Sequence, residues 1–124
     1  MGKWGWLSLG SLLGGFGRYL LAGAIYALFG TAFPYGTFVV NMTGCFLIGV
    51  FYSLAEQKFL LGPDARIFLM TGFCGAFTTF STFILETMAL FKDGEALKAF
   101  MNIGGSVGLG LFLFWMAEIL VKLI

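Results

Sequence analysis

Gly72-Phe73-Cys74-Gly75-Ala76-Phe77-Thr78-Thr79-Phe80-Ser81-Thr82-Phe83 is the stretch that decides how this chain folds. Two glycines three apart are followed by four hydroxyl side chains in five positions, all inside an apolar run from about residue 67 to residue 91. Glycine is a poor helix former, and serine and threonine compete for backbone hydrogen bonds. The pattern therefore predicts a membrane helix that breaks near residues 75–79. Broken backbone at membrane depth survives only where it is buried in protein or lines a cavity. Carbonyls freed there are hard oxygen ligands suited to an alkali cation. Beyond the predicted break, Phe80, Phe83 and Glu86 follow at steps of three and share a helix face. Phenylalanine stripes mostly make lipid or core contacts; a carboxylate and four hydroxyls set these two apart.

Composition explains why such a run must meet lipid. The 124 residues are 60% hydrophobic, 19% aromatic and only 10% charged, where soluble domains sit near half apolar and a quarter charged. Seven basic and six acidic side chains cannot cover the surface of so small a soluble protein. A net charge of +1 and the absence of histidine argue against a nucleic-acid surface and against histidine-based metal chemistry or a Ser-His-Asp triad. No nucleophile and base pair stands out, so an enzyme is not expected. Glycine, 19 of 124, implies closely approaching helices.

A helix needs roughly 20 apolar residues to cross the hydrocarbon, and four charge-poor runs meet that need. They span about 4–29, 37–54, 67–91 and 97–123, and they make the whole chain, 1–124, one transmembrane domain. Gly30 to Gly36, the Gly62-Pro63-Asp64 turn and Lys92-Asp93-Gly94-Glu95 separate them. The first run is too long for a signal peptide and carries Arg18, so it is read as a mature span. No run alternates as a barrel strand would. With four spans, both termini share a side with Lys3, Lys58, Arg66 and Lys122, against Lys92 and Lys98 on the other. So weak a bias leaves insertion in both orientations open, and with it an antiparallel homodimer.

The polar residues within the runs are the candidate functional groups. Arg18 must be paired, hydrated or snorkelling. Glu86 could pair with Arg18, line a wet vestibule or shuttle protons. Thr37, Asn41 and Gly44 fall at i, i+4 and i+7 on one face, and Asn102 and Ser106 repeat the idea in the fourth run. Gly10 with Gly14, and Gly104 with Gly108, have the spacing that lets helices approach, either within a subunit or between subunits. Cys45 and Cys74 lie inside spans and read as small apolar fillers.

In length, four-span layout and three motifs, the whole chain resembles the Fluc (CrcB-type) fluoride ion channel family. The motifs are Gly14-Gly15-Phe16-Gly17-Arg18-Tyr19, the run from Gly36 to Phe46 that includes Thr37, Asn41 and Gly44, and the Gly72 to Phe83 segment. The resemblance implies an all-α membrane protein with four transmembrane helices per subunit and a break in the third. It implies assembly as an antiparallel, dual-topology homodimer with two fluoride pores at the interface. A structural sodium ion at the dimer centre is implied too, held by the backbone carbonyls of Gly75 and Thr78. Phe80 and Phe83 then match the pore phenylalanines, Asn41 the pore asparagine and Ser106 a pore-facing serine of the fourth helix. Thr79, Ser81, Thr82 and Glu86 would form a polar track beside them, with Arg18 near the vestibule. The implied activity is passive fluoride efflux that lowers cytoplasmic fluoride, in the plasma (inner) membrane of a prokaryote. Partners would be fluoride, lipid and a second copy, without nucleic acid.

The chemistry of the residues agrees with that. Fluoride holds its water tightly, so a selective pore must offer closely placed donors, which Asn, Ser and Thr supply. Ring edges are electropositive and can face an anion without trapping it as a fixed charge would. No basic residue stands between Arg66 and Lys92. Two rivals differ in class. A proton-coupled small multidrug-type exporter would use Glu86, yet its carboxylate belongs in the first span, where this chain has Arg18. An assembly subunit without transport leaves residues 75–83 unexplained.

Overall fold

The computed structural model describes residues 1–124 and is entirely helical. Helix α1 (Lys3–Phe29) ends at Gly30, whose φ of +82° suits only glycine without strain while its N–H returns to the Tyr26 carbonyl at 2.8 Å. Helix α2 (Tyr35–Glu56) follows Pro34. Gly62 then leads into α3 (Pro63–Arg66), with proline in the first turn, where no amide donor is needed, and Asp64 beside the positive helix end. Arg66 fastens this corner, donating to Glu56 Oε1 at 2.6 Å, the Ala55 carbonyl at 3.2 Å and the Leu61 carbonyl at 3.2 Å.

From Arg66 the chain continues as a π-helix (Ile67–Cys74) and one turn, α4 (Gly75–Phe77). Thr78 (φ −88°, ψ 159°) and Thr79 (φ −149°, ψ 116°) are extended. Helix α5 (Phe80–Lys92) resumes, capped by the Thr79 hydroxyl, which accepts from the Thr82 amide at 3.3 Å. Gly94, at φ +76°, makes the last turn before α6 (Ala96–Lys122). Four helical segments, Lys3–Phe29, Tyr35–Glu56, Pro63–Lys92 and Ala96–Lys122, are long and apolar enough to cross a membrane. The chain is a multi-pass membrane protein.

The extended pair lets the third span change partners. Its first half packs along α1, while α5 leans on α6, and α6 runs along α2. Close approach is made with glycine. A Cβ at Gly10 or Gly14 would collide with backbone of the π-helix, at the Phe68 and Phe73 carbonyls respectively, and one at Gly49 would press on Ala117 and Phe114 of α6. The pair at 10 and 14 therefore serves contact within the chain. Gly104 and Gly108 meet nothing: a Cβ at either would stand in open space. Only 22 of 124 residues are buried, and the buried set is rich in small side chains such as Ala55, Ala99, Ala117 and Ser53. A single copy therefore leaves broad apolar surface for lipid or protein to cover.

Candidate functional site

The two extended residues organise the polar groups around them. Asn41, on the buried face of α2, donates its Nδ2–H to the Thr79 carbonyl at 3.1 Å, and its Oδ1 accepts the Thr79 amide at 2.8 Å. Asn41 thus replaces the helical bonding that the third span gives up at this point. The consequence for neighbouring carbonyls follows from the helical pattern. In a continuous helix the Thr79 amide would go to Gly75 and the Thr82 amide to Thr78. They go instead to Asn41 Oδ1 and to Thr79 Oγ1. The Gly75 and Thr78 carbonyls are left without those donors, whereas the Thr78 hydroxyl folds back onto the Cys74 carbonyl at 2.9 Å. Two hard oxygens free of their helical partners fit an alkali cation.

Arg18 supplies a donor at the same helix end. Its Nε–H reaches the Ala76 carbonyl at 3.1 Å, where the end of α4 exposes carbonyls and the negative end of the helix dipole. Glu86 is bonded elsewhere: Tyr26 Oη donates to its Oε2 at 2.6 Å. Of the alternatives open for these two residues, pairing with each other is not the arrangement found.

A cavity of about 420 Å³ collects Asn41, Gly75, Thr78, Thr79, Phe80, Phe83 and Ser106, and no charged side chain lines it. Phe80 and Phe83 stand 5.9 Å apart between ring centroids and tilt by 44°. Phe83 is buried at 8% exposure, while Phe80 is 75% exposed at the start of α5. Ser106 points its hydroxyl at Asn102 Oδ1, 3.4 Å away, and Asn102 is itself fixed by donating to Thr87 Oγ1 at 2.9 Å. A second cavity, about 340 Å³, takes Thr79 on into Thr82, Glu86, Arg18 and Tyr26. Ser81 lies on the exposed side of α5 and lines neither of these two cavities.

Tyr26 is the residue that sequence reasoning missed. Its signal was its spacing: it stands eight residues after Arg18, two steps of i+4 along the same face of α1. Cys45 and Cys74 are free thiols on the wall of the cavity that holds Asn41, Phe80 and Phe83.

Fold and site together define a class: a small multi-pass helical membrane protein with an uncharged, mostly apolar cavity that a few polar groups line where the third span turns extended. Residues 6–118 match the family model described as CrcB-like protein, Camphor Resistance (CrcB), and the chain belongs to that family. Among its relatives is a fluoride-specific ion channel FluC of Chlorobaculum tepidum, 48% identical over 92% of this chain and 90% of that protein. A protein of the same name from Methylocella silvestris is 44% identical over 92% of this chain and 88% of its own length. Another, from Acidobacterium capsulatum, is 42% identical over 94% of both.

Proposed function

We propose that this chain is a fluoride-selective channel that lets fluoride leave the cytoplasm passively, in the inner membrane of a prokaryote. The observation that carries the reading is the Asn41–Thr79 clamp, which seats Phe80 beside Phe83 on an uncharged, largely apolar cavity wall whose polar groups are one amide, Asn41, and the hydroxyls of Thr78, Thr79 and Ser106. The names of the relatives point the same way. Fluoride entering this cavity exchanges water for the free N–H of Asn41 and the edges of the two rings, and for the Ser106 and Thr79 hydroxyls once these turn from Asn102 Oδ1 and Thr82 Oγ1. With no fixed positive charge on the wall, it is bound weakly enough to leave. Thr82 continues the track along α5, and Glu86 stands at its end, where the inner cavity meets the wide one.

Two copies complete the pore in this proposal. Phe80 is three-quarters exposed, the cavity is open on one side, and the Gly104–Gly108 face of α6 meets nothing within the chain. A second copy inserted in the opposite orientation would cover these surfaces and create two equivalent pores. The Gly75 and Thr78 carbonyls of both copies would hold one structural sodium ion. When bound, it supplies a positive charge that keeps four carbonyl dipoles together in the membrane interior. The chain's own residues prepare that site: Asn41 and Thr79 withdraw the competing amides, and Arg18 occupies the Ala76 carbonyl.

Reconstitution into liposomes tests the function. Fluoride efflux that chloride neither shares nor competes with is expected, along with impaired throughput in Phe80→Ile and Phe83→Ile. Equal fluoride and chloride flux would overturn the reading. Drug-driven proton uptake lost in Glu86→Gln would point to an exporter instead.

A further inference from the structure

Tyr26 and Glu86 each line two cavities. One is the inner polar cavity of about 340 Å³, shared with Arg18, Thr37, Thr79 and Thr82. The other, about 570 Å³, lies at the end of the bundle by the loops and holds Asp93, Glu95 and Lys98. The 2.6 Å hydrogen bond from Tyr26 Oη to Glu86 Oε2 stands between them. Its geometry is supported from α2. The Thr37 amide and hydroxyl lie 3.5 and 3.4 Å from the phenol oxygen, and the ring rests on Gly36, where a Cβ would collide with it. The second carboxylate oxygen, Glu86 Oε1, is buried and bonded to nothing.

A carboxylate on the route of an anion is an obstacle, and charges away from water are poorly screened. A hydroxyl donated to the carboxylate draws off part of its charge and fixes its rotamer. We propose that Tyr26 is a positioning residue for anion permeation: its hydroxyl pins and damps Glu86 at the junction of the two cavities, so that an anion can pass from the inner track to the wide end. The proposal rests on the fluoride-channel reading and adds to it a residue whose effect runs through Glu86.

The test is fluoride efflux from liposomes holding the full chain as wild type, Tyr26→Phe, Glu86→Gln and the double variant. A hydrogen bond to a charged group corresponds to about tenfold or more in rate, so Tyr26→Phe should slow efflux by about that factor. Adding Glu86→Gln should restore at least about a third of the wild-type rate, because the charge that the hydroxyl restrained is gone. A double variant as slow as Tyr26→Phe would mean that Tyr26 is merely structural, and a Tyr26→Phe as fast as wild type would remove any role; either result overturns the proposal. Should Tyr26→Phe not fold, Thr37→Val supplies the same comparison. It leaves the phenol but takes away its hydroxyl neighbour, and a slowing of about two- to fivefold, reversed by Glu86→Gln, is expected. Slowing that Glu86→Gln leaves unchanged counts against the proposal. A wild type that carries no fluoride would sink the channel reading itself, and this inference with it.

Discussion

Asn41 and Thr79 hold each other at two points, the side-chain amide of one lying against the peptide groups of the other at 3.1 and 2.8 Å. An amide side chain carries a donor and an acceptor at the spacing of a peptide, so it can stand in for a missing helical neighbour at both ends of one residue. Because α2 is a continuous helix, the clamp transfers its rigidity to the start of α5. The position of Phe80 is thereby set by α2 as well as by its own segment.

Asn41→Ala should free Thr79 and let the start of α5 drift. Two polar groups of Thr79 lose their Asn41 partner, and each costs about 1–3 kcal/mol for as long as neither water nor a neighbouring backbone group takes its place. Fluoride efflux in liposomes should fall by about tenfold or more, with a lower melting temperature in detergent. Asn41→Asp keeps the acceptor for the Thr79 amide but loses the donor and adds a negative charge to an uncharged cavity, so it should melt higher than Asn41→Ala yet conduct no better.

Gly14→Ala should destabilise the fold, since the new methyl meets the Phe73 carbonyl and Phe77 amide, which cannot give as a side-chain end would. Overpacking of this kind costs about 1–3 kcal/mol. Gly15→Ala is its control, because a Cβ at that position meets nothing. Thermal melting in detergent separates the two, and equal melting would refute the close contact of α1 with the third span.

The sequence made the four apolar runs visible because lipid tolerates little else, and the helices extend those runs at ends where polar residues can join them. Tyr35 and Gly36 belong to α2 because Pro34 can precede a helix without losing a bond, and Glu56 closes it under the hold of Arg66. The third span starts at Pro63 for the same reason. The stretch 75–79 was readable as poor helix, yet Gly75 to Phe77 remain helical and only Thr78 and Thr79 are extended. Arg18, from another helix, satisfies the Ala76 carbonyl and carries the turn that far. The wide π turns over Ile67–Cys74 had no local signal; that segment lies against the bare backbone of Gly10 and Gly14 in α1, a contact no single window of sequence shows. The Tyr26–Glu86 bond was equally hidden. It joins residues 60 apart, and periodicity gives the face of a helix but not how two helices are rotated against each other.

Gly104→Val should leave the single chain intact and weaken its association with a second copy. The added side chain meets no atom within the chain, so the fold has no reason to change. If that face of α6 is covered by another copy, closely approaching backbones will be pushed apart. Dimer population measured in lipid at rising dilution should fall relative to wild type, with helix content by circular dichroism unchanged. Dimerisation equal to wild type would place the interface elsewhere.

Replacing sodium by a bulky organic cation on both sides of the membrane should lower stability and fluoride efflux together. The Gly75 and Thr78 carbonyls have lost the amide donors of a continuous helix to Asn41 and Thr79. A carbonyl without a partner in an apolar interior costs about 1–3 kcal/mol, and two copies would bring four of them to one place. A cation there offsets that cost by direct coordination and so stabilises the assembled dimer more than the single chain, in proportion to its free concentration. Melting temperature in N-methyl-D-glucamine should therefore fall below that in sodium, and returning sodium should restore it. Asn41→Ala supplies a check that does not depend on ion flux: once the Thr79 amide is released, it can return to the Gly75 carbonyl and compete with the ion, so the sodium-dependent part of the melting temperature should shrink. A sodium effect of unchanged size in that variant would separate the cation from these carbonyls.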